Sequence, residues 1–297
     1  MDLVFYDFET TGKEPHWDQI LQVGATKVSK EFNEIDTFEF RSRLKPGLIP
    51  SPFALAVNNT DYAKLIKTEC SHYEMLRKIE DKFTKWSPSI FIGYNSINFD
   101  EEFLRNSLFR ALLDPYLTSR NNNNRADLLE LLRTVDFFFP DTINIPVNNK
   151  NKKTFKLDQI APANSITHFA HDALGDVIAT KQLAKLISQR KPTFWHSFLE
   201  GSNKSLVYKV LSEEKIVFFC QTFYGKTTAI SGSFLLNHPI YKFPVLFDLN
   251  FDPRELVELN LRDLKDVYTG GQRFLKFVKA NKGPILSKRG AYLGVNN

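Results

Sequence analysis

Short apolar runs alternate with longer stretches of helical periodicity along the first two thirds of the chain. The first run is Leu3-Val4-Phe5-Tyr6-Asp7-Phe8. Its residues are apolar or aromatic on both sides of the pleat, which predicts a strand covered on both faces. Residues 20–28 and 36–41 predict two more strands, and Pro46, Gly47, Pro50 and Pro52 an irregular loop after them. Ser71 followed three positions later by Glu74 has capping-box spacing and opens a helix over 71–86. Residues 90–94 predict a short buried strand, followed by a helix over 99–113 that Asp114-Pro115 ends. Polar loops at 121–124 and 148–153 flank a helical stretch near 127–137. A further helix over 172–188 has Leu183, Leu186 and Ile187 as apolar contacts. Strands first and helices interleaved afterwards predict an α/β layer architecture.

Beyond about residue 190 the pattern changes to short β-like runs at 216–221, 226–236, 244–249 and 273–278. Turn signals at Tyr224-Gly225, His238-Pro239 and Gly270-Gly271 separate them, as in a small barrel or partly open sheet. The expected organisation is one domain over 1–195 and a smaller one over 196–297, in keeping with 297 residues at roughly 150 per domain.

With 42% hydrophobic and 25% charged residues, the chain has the composition of a folded protein and not of a disordered one. No apolar run approaches the roughly 18 residues of a membrane helix. Met1-Asp2-Leu3 has an acid where a signal peptide carries Lys or Arg, and Cys70 and Cys220 are the only cysteines. A disulfide framework and a thiolate zinc cluster are thereby excluded, and a reducing, cytoplasmic location is expected. The net charge of +5 is unevenly placed. Residues 201–297 hold 14 Lys+Arg and 8 Asp+Glu, leaving 25 and 26 for residues 1–200. A near-neutral part joined to a basic one suits an enzyme that handles a polyanion, although a solvated lysine-rich surface gives the same balance.

Three acidic features stand out. In Asp7-Phe8-Glu9-Thr10, strand alternation puts Asp7 and Glu9 on one face, where they repel unless a cation compensates them; the alternative is a solvated strand end. Asp100 opens a predicted helix, where an aspartate commonly serves as N-cap, but Leu104, Ser107 and Ala111 follow at helical spacing and turn that side inward. Asp176 shares a stripe with Thr180, Leu183 and Ile187. His171 precedes Asp176 in or before the first turn, with His168 as a rival that lies three residues further away and is expected to face solvent or cap the loop. Carboxylates suit hard Mg²⁺ or Mn²⁺, and two such ions ~3.5–4 Å apart activate water and stabilise a leaving oxygen in phosphodiester hydrolysis. A histidine titrating near neutrality can take the water's proton.

The order Asp-x-Glu-Thr, Asn-x-x-x-Phe-Asp and His-x-x-x-x-Asp resembles the four-acid, histidine-containing class of 3′→5′ exonucleases, which have a ribonuclease H-like fold. Gly93-Tyr94-Asn95, Phe99-Asp100-Glu101-Glu102, Arg105-Asn106, Asp114-Pro115-Tyr116 and Arg125-Ala126-Asp127-Leu128-Leu129 sharpen the likeness to the bacterial exonuclease I family, which degrades single-stranded DNA. It runs over essentially the whole chain, and the family's small β-barrel domain corresponds to the residues from about 200 onward. The resemblance implies a mixed central sheet flanked by helices. It implies Asp7 bridging two Mg²⁺ ions, with Mn²⁺ able to substitute, Glu9 and Asp176 on the nucleophile-side ion, Asp100 behind the second through water, and His171 as general base. Glu9, Thr10 and Asn95 become substrate contacts, with Arg105, Tyr116, Arg133 and Lys156 along the DNA strand. For Arg105 a surface pair with Glu101 is the competing reading.

Two departures accompany the likeness. The family's Thr-Gly-containing loop is replaced by Ala56-Val57-Asn58-Asn59-Thr60, where asparagine tolerates left-handed backbone. The helical C-terminal domain of exonuclease I chains has no counterpart in these residues. Implied partners are single-stranded DNA and single-strand-binding protein, in repair and recombination. Competing readings are an RNA-trimming or proofreading exonuclease of the same class, and a non-catalytic single-strand-binding module.

Overall fold

The computed structural model describes residues 1–168, 172–223, 225–271 and 273–288. Strand β1 (Asp2–Thr10) is the centre of a five-stranded sheet. β2 (Ile20–Val28) and β3 (Glu34–Arg41) run antiparallel on one side, and β4 (Ser89–Gly93) and β5 (Asn124–Asp127) run parallel on the other. Parallel neighbours need crossover connections. Here α1 (Pro52–Val57), α2 (Tyr62–Leu65) and α3 (His72–Lys85) precede β4, and α4 (Asp100–Arg110) precedes β5. The capping box starts α3: Ser71 Oγ accepts from Glu74 N, and Glu74 accepts from Ser71 N.

The even residues of β1, Val4, Tyr6 and Phe8, join Met75, Ile79 and Phe83 of α3 and Phe103, Leu104 and Leu108 of α4 in one buried cluster. The odd residues are apolar at Leu3 and Phe5 and acidic at Asp7 and Glu9, so one strand supplies both a core face and a charged end. After β5 come α5 (Leu128–Phe138), α6 (Leu157–Ala163) and α7 (Ala173–Arg190), the last packed on β1 and β2. A Cβ on Gly24 of β2 would lie 2.5 Å from the Ala173 carbonyl carbon and from Leu174 N. The helix reaches this depth because position 24 has no side chain.

Two polar stretches differ from the sequence pattern. The 121–124 loop is part of the core frame: Asn123 is buried, accepts from Ser89 N at 2.9 Å, and donates to Ser87 Oγ at 2.8 Å and Leu117 O at 2.9 Å. Its amide satisfies backbone and hydroxyl groups that water would otherwise reach, and Asn124 begins β5 at once. The segment after Pro50 is helical in part, because Pro52 stands in the first turn of α1, where its missing N–H costs nothing.

The chain divides into two compact units. Residues Met1–Leu132 and Pro140–Arg190 form the first, and Arg133–Phe139 join the chain from Lys191 onward in the second. The second unit starts with α8 (Pro192–Gly201) and α9 (Lys204–Glu213), where only β-like runs were expected from about 190. Pro192 at the helix start and Asn203, whose side chain accepts from Ser205 N and Leu206 N, were the available signals. Its sheet has the order β10-β6-β7-β8-β9, with β6 (Val217–Phe223), β7 (Lys226–Asn237), β8 (Pro244–Asp248), β9 (Leu275–Phe277) and β10 (Ser287–Lys288), all antiparallel. Two short helices, α10 (Arg254–Val257) and α11 (Leu261–Thr269), lie between β8 and β9. Val207, Leu211, Phe219, Ile230 and Leu246 build this unit's core. No described helix is long and apolar enough to cross a membrane.

One buried ion pair ties β5 to α4 in the first unit. Arg125 Nη1 lies 2.8 Å from Glu101 Oε2, and Glu101 also accepts from Tyr6 OH at 2.7 Å and Thr118 Oγ1 at 2.8 Å. Removing one partner leaves a buried charge without its counterion. Arg125→Met should therefore lower stability by about 3 kcal/mol in urea unfolding, the low end for a buried pair because the arginine side chain is 20% exposed. Adding Glu101→Gln should recover much of the loss, whereas an equal or larger loss in the double variant would show that the pair is not the cause.

Candidate active site

The end of β1 presents Asp7 and Glu9 on the face that α7 covers. Each, with Asp176 in the first turn of α7, offers a carboxylate oxygen, and the three atoms all lie within 4.8 Å of one another. Gly24 is the β2 residue paired with Asp7, so the close approach of α7 occurs beside that carboxylate. Asp172 fixes the start of the helix laterally. Its Oδ1 accepts from Gln22 Nε2 at 2.9 Å on β2 and from Arg41 Nη2 at 2.8 Å on β3, and its Oδ2 accepts from Gly175 N at 3.2 Å.

The electrostatics of this arrangement are unfavourable in the absence of a cation. Burial, with Asp100, Asp176 and Glu9 nearby, pushes Asp7 well above the usual carboxylate range. Burial, followed by Asp176 and Asp172, pushes Glu9 up to about 8, with Arg41 opposing. Asp100 is also raised by burial, against the pull of the backbone N–H groups it accepts from. The three clustered donors are all oxygens, which fits a hard divalent cation, and a cation would relieve the crowding that raises them.

Asp100 is not the N-cap of α4. That position is Phe99, and Asp100 Oδ1 accepts from Phe8 N at 3.0 Å, so its carboxylate reaches across to β1. Asn95 follows β4 with a left-handed φ of 62° and is exposed. The turn that holds it hangs on Asp127, absent from the sequence-derived site. The Asp127 carboxylate accepts from Asn95 N at 2.9 Å, Ile97 N at 3.1 Å and Leu129 N at 3.0 Å, and burial pushes it up to about 6. Its place directly before a helix and within the 125–129 stretch of the family likeness were the signals for it. Thr10 is buried, with its hydroxyl donating to Gly12 O at 2.6 Å. The asparagine turn that replaces the Thr-Gly loop takes the left-handed form, with φ 45° at Asn59, and Asn58 Nδ2 donates to Thr10 O at 3.1 Å.

The histidines require one correction. His171 lies outside the described residues. His168, expected to face solvent or cap the loop, instead sets its Nε2 against Asp176 Oδ1 with its side chain 2% exposed. The reading from spacing assumed that a residue three positions further from the helix points away, but residues before a helix have no fixed period.

Of the residues aligned with a DNA path, Arg105 and Tyr116 lie in the first unit and are partly exposed, and Lys156 is exposed just before α6. Arg105 pairs with Glu102 at i,i+3 and not with Glu101, whose carboxylate is held inside by Tyr6, Thr118 and Arg125. Arg133 belongs to the second unit.

Comparison with known proteins places this geometry in context. Exodeoxyribonuclease I of Buchnera aphidicola subsp. Baizongia pistaciae is 30% identical over 300 residues, covering 96% of this chain and 62% of that protein. E. coli exonuclease I in complex with a dT13 oligonucleotide superposes with a TM-score of 0.83 at 28% identity, covering 98% of this chain and 66% of that one. A complex of ExoI with SSB-Ct superposes at 0.82 with 26% identity, covering 99% and 66%. The chain thus spans less than two thirds of these relatives. The ribonuclease H-like exonuclease fold, with its mixed five-stranded sheet flanked by helices, is shared with them. Residues 4–184 match the profile of the RNase T exonuclease family, whose members require a divalent cation. That match covers well over half of the sequence and includes every carboxylate of the cluster, and the chain belongs to this exonuclease family.

Proposed function

We propose that the protein is a 3′→5′ exonuclease that hydrolyses single-stranded DNA to 5′-mononucleotides with two Mg²⁺ ions, Mn²⁺ substituting. The observation that carries the reading is the convergence of Asp7, Glu9 and Asp176 within 4.8 Å at a sheet end where burial alone disfavours their charge. Asp7 would bridge the ions, Glu9 and Asp176 would hold the one on the nucleophile side, and Asp100 would support the second. When bound, such ions lower the pKa of water and neutralise charge on the scissile phosphate. His171 would take the proton of the attacking water, a role that the family likeness gives it. His168 restrains the Asp176 carboxylate. Glu9, Thr10 and Asn95 contact the terminal nucleotide, Arg105, Arg133 and Lys156 meet phosphates, and Tyr116 offers a face to a base. The likeness to exonuclease I bound to an oligonucleotide and to SSB-Ct supports single-stranded DNA as substrate and single-strand-binding protein as partner, in cytoplasmic repair and recombination.

The substrate class is tested on labelled single-stranded DNA, duplex DNA and RNA of matched sequence, with Mg²⁺ against EDTA. Metal-dependent release of mononucleotides from the DNA single strand alone is expected. Preferential trimming of RNA, or binding without hydrolysis, would replace the reading by one of its rivals.

Asp7→Ala should abolish hydrolysis while leaving the metal-free fold as stable as before or slightly more so. Near-normal turnover would overturn the two-ion assignment. The histidines separate by different readouts. His171→Ala should slow hydrolysis by about 10²–10⁴-fold at saturating metal, with binding in Ca²⁺ nearly unchanged. His168→Ala should chiefly raise the metal concentration needed for half-maximal rate. The reverse pattern would transfer the base role to His168.

Glu9 gives a pH signature in EDTA. Its ordinary value of 4.5 is raised to about 8 in the folded state, so its contribution to stability is complete below the former and is lost as pH rises through the latter. Glu9→Gln, which stays uncharged, should therefore gain melting temperature relative to wild type progressively over that interval, by a few degrees at its upper end. A difference that does not change with pH would mean that Glu9 is not held protonated in the folded protein.

A further inference from the structure

The first unit carries a basic hairpin that the carboxylate cluster leaves unused. Residues 148–153, a polar loop by sequence, close on themselves. Val147 and Lys153 form an antiparallel bridge, Asn148 N donates to Lys152 O at 2.8 Å, and Thr154 N donates to Pro146 O at 2.9 Å. Asn148 also turns the tip, its Oδ1 accepting from Lys150 N at 2.9 Å and Lys152 N at 3.1 Å. Two anchors hold the base. Asn144 N donates to Asn164 Oδ1 at 3.0 Å just after α6, and Asn164 Nδ2 returns a bond to Asn144 O at 2.9 Å. On the other side Tyr94 donates its hydroxyl to Phe155 O. This second anchor places the hairpin. β4 runs parallel to β1 with Phe5 opposite Ile92, so Tyr94, directly after β4, stands at the edge of the sheet where Asp7 and Glu9 lie.

Charge identifies what the hairpin meets. Residues 142–157 contain Lys150, Lys152, Lys153 and Lys156 and no Asp or Glu, although the first 200 residues hold 25 Lys+Arg against 26 Asp+Glu. All four lysines are exposed, and Lys150, Lys152 and Lys156 have no ion-pair partner among the described residues. A face kept for solubility alone mixes both signs, because like charges at this spacing repel. A run of one sign on an ordered hairpin suits a polyanion, whose charge relieves that repulsion. Residues 146–154 include no aromatic ring, so the hairpin offers nothing for a base to stack on. Its lysines suit phosphate oxygens, which any sequence presents alike.

We propose that the 146–154 hairpin is a phosphate-binding arm beside the hydrolytic edge, with Lys150 and Lys152 meeting the DNA backbone and Tyr94 positioning the arm from its base. The choice of ligand rests on the reading of the chain as a single-strand exonuclease. The phosphates belong either to the single strand or to a duplex that follows it, and the test separates the two. Because the arm is fixed by its own hydrogen bonds, little backbone entropy is lost when it engages.

The test uses the full chain and a fluorescent oligothymidylate, free or as the 3′ overhang of a duplex, with Ca²⁺ in place of Mg²⁺ so that the strand persists. Lys150→Gln combined with Lys152→Gln should lower the slope of log K against log salt by about 1.4, the share of two single-strand phosphates, and weaken binding about tenfold at low salt. A loss on both ligands assigns the phosphates to the single strand, and a loss confined to the overhang assigns them to the duplex; either supports the arm. Tyr94→Phe should raise KM in Mg²⁺ with kcat kept, and should add little once both lysines are replaced. A Tyr94→Phe effect of the same size with and without the lysines would refute its positioning role. If the wild type hydrolyses the strand but the double glutamine variant binds both ligands with wild-type affinity and slope, the arm is refuted and the nuclease reading stands. If the slope changes without any hydrolysis by the wild type, the arm stands and the nuclease reading falls. If DNA binding is unchanged and binding of a polyglutamate peptide is lost instead, the hairpin is a protein contact and the arm is refuted.

Discussion

The close approach of a helix to a sheet at one glycine determines most of what this molecule can do. Without a side chain at Gly24, the β2 residue that pairs with Asp7, the first turn of α7 comes down directly onto β2. Asp176 then stands over Asp7 and Glu9, and three carboxyl groups share a volume from which water is largely removed. Packing has set a distance that electrostatics alone would lengthen, and strain of this kind persists only where the surrounding structure over-determines it. Here the surroundings are the Gln22, Arg41 and Asp172 bonds on one side and the core beneath β1 on the other.

The sequence made the central elements legible where period and capping agreed. β1 declared itself through its run of apolar and aromatic residues, and α3 through its Ser71–Glu74 box. The pairing of Asp7 with Glu9 on one face follows from strand period alone. What escaped were features that depend on contacts distant in sequence. Asn123 reads as part of a polar run because nothing local signals that its amide is enclosed by Ser87, Ser89 and Leu117. Asp127 and Glu101 look like ordinary helix-start acids, yet each is the hub of a buried network. His168 was misread because loop residues carry no periodicity from which to project a direction.

Each of the two compact units has a hydrophobic core of its own. The first fills the space between its sheet and helices with large aromatic side chains, Tyr6, Phe83, Phe91 and Trp86 meeting at ring centroids of 4.9–6.1 Å. The second buries Phe194, Trp195, Phe198 and Phe219 together with aliphatic residues such as Val207, Leu211, Ile230 and Leu246. Its edge strands β9 and β10 are only three and two residues long and each carries a lysine, features that discourage pairing with other chains.

The Asp127 carboxylate has a consequence for motion. By accepting from Asn95 N and Ile97 N after β4 and from Leu129 N at the start of α5, one side chain joins two segments that are far apart in sequence. The exposed turn bearing Asn95 thus shares its acceptor with the first turn of α5, and displacing the Asp127 carboxylate frees backbone donors in both. A stretch that looks like a loop is therefore tied to the β5–α5 junction, and exchange of its amides with solvent is expected to be slowed by that tie. Asn95 is in this sense a surface residue with the rigidity of an interior one, held in left-handed backbone by an acid two elements away.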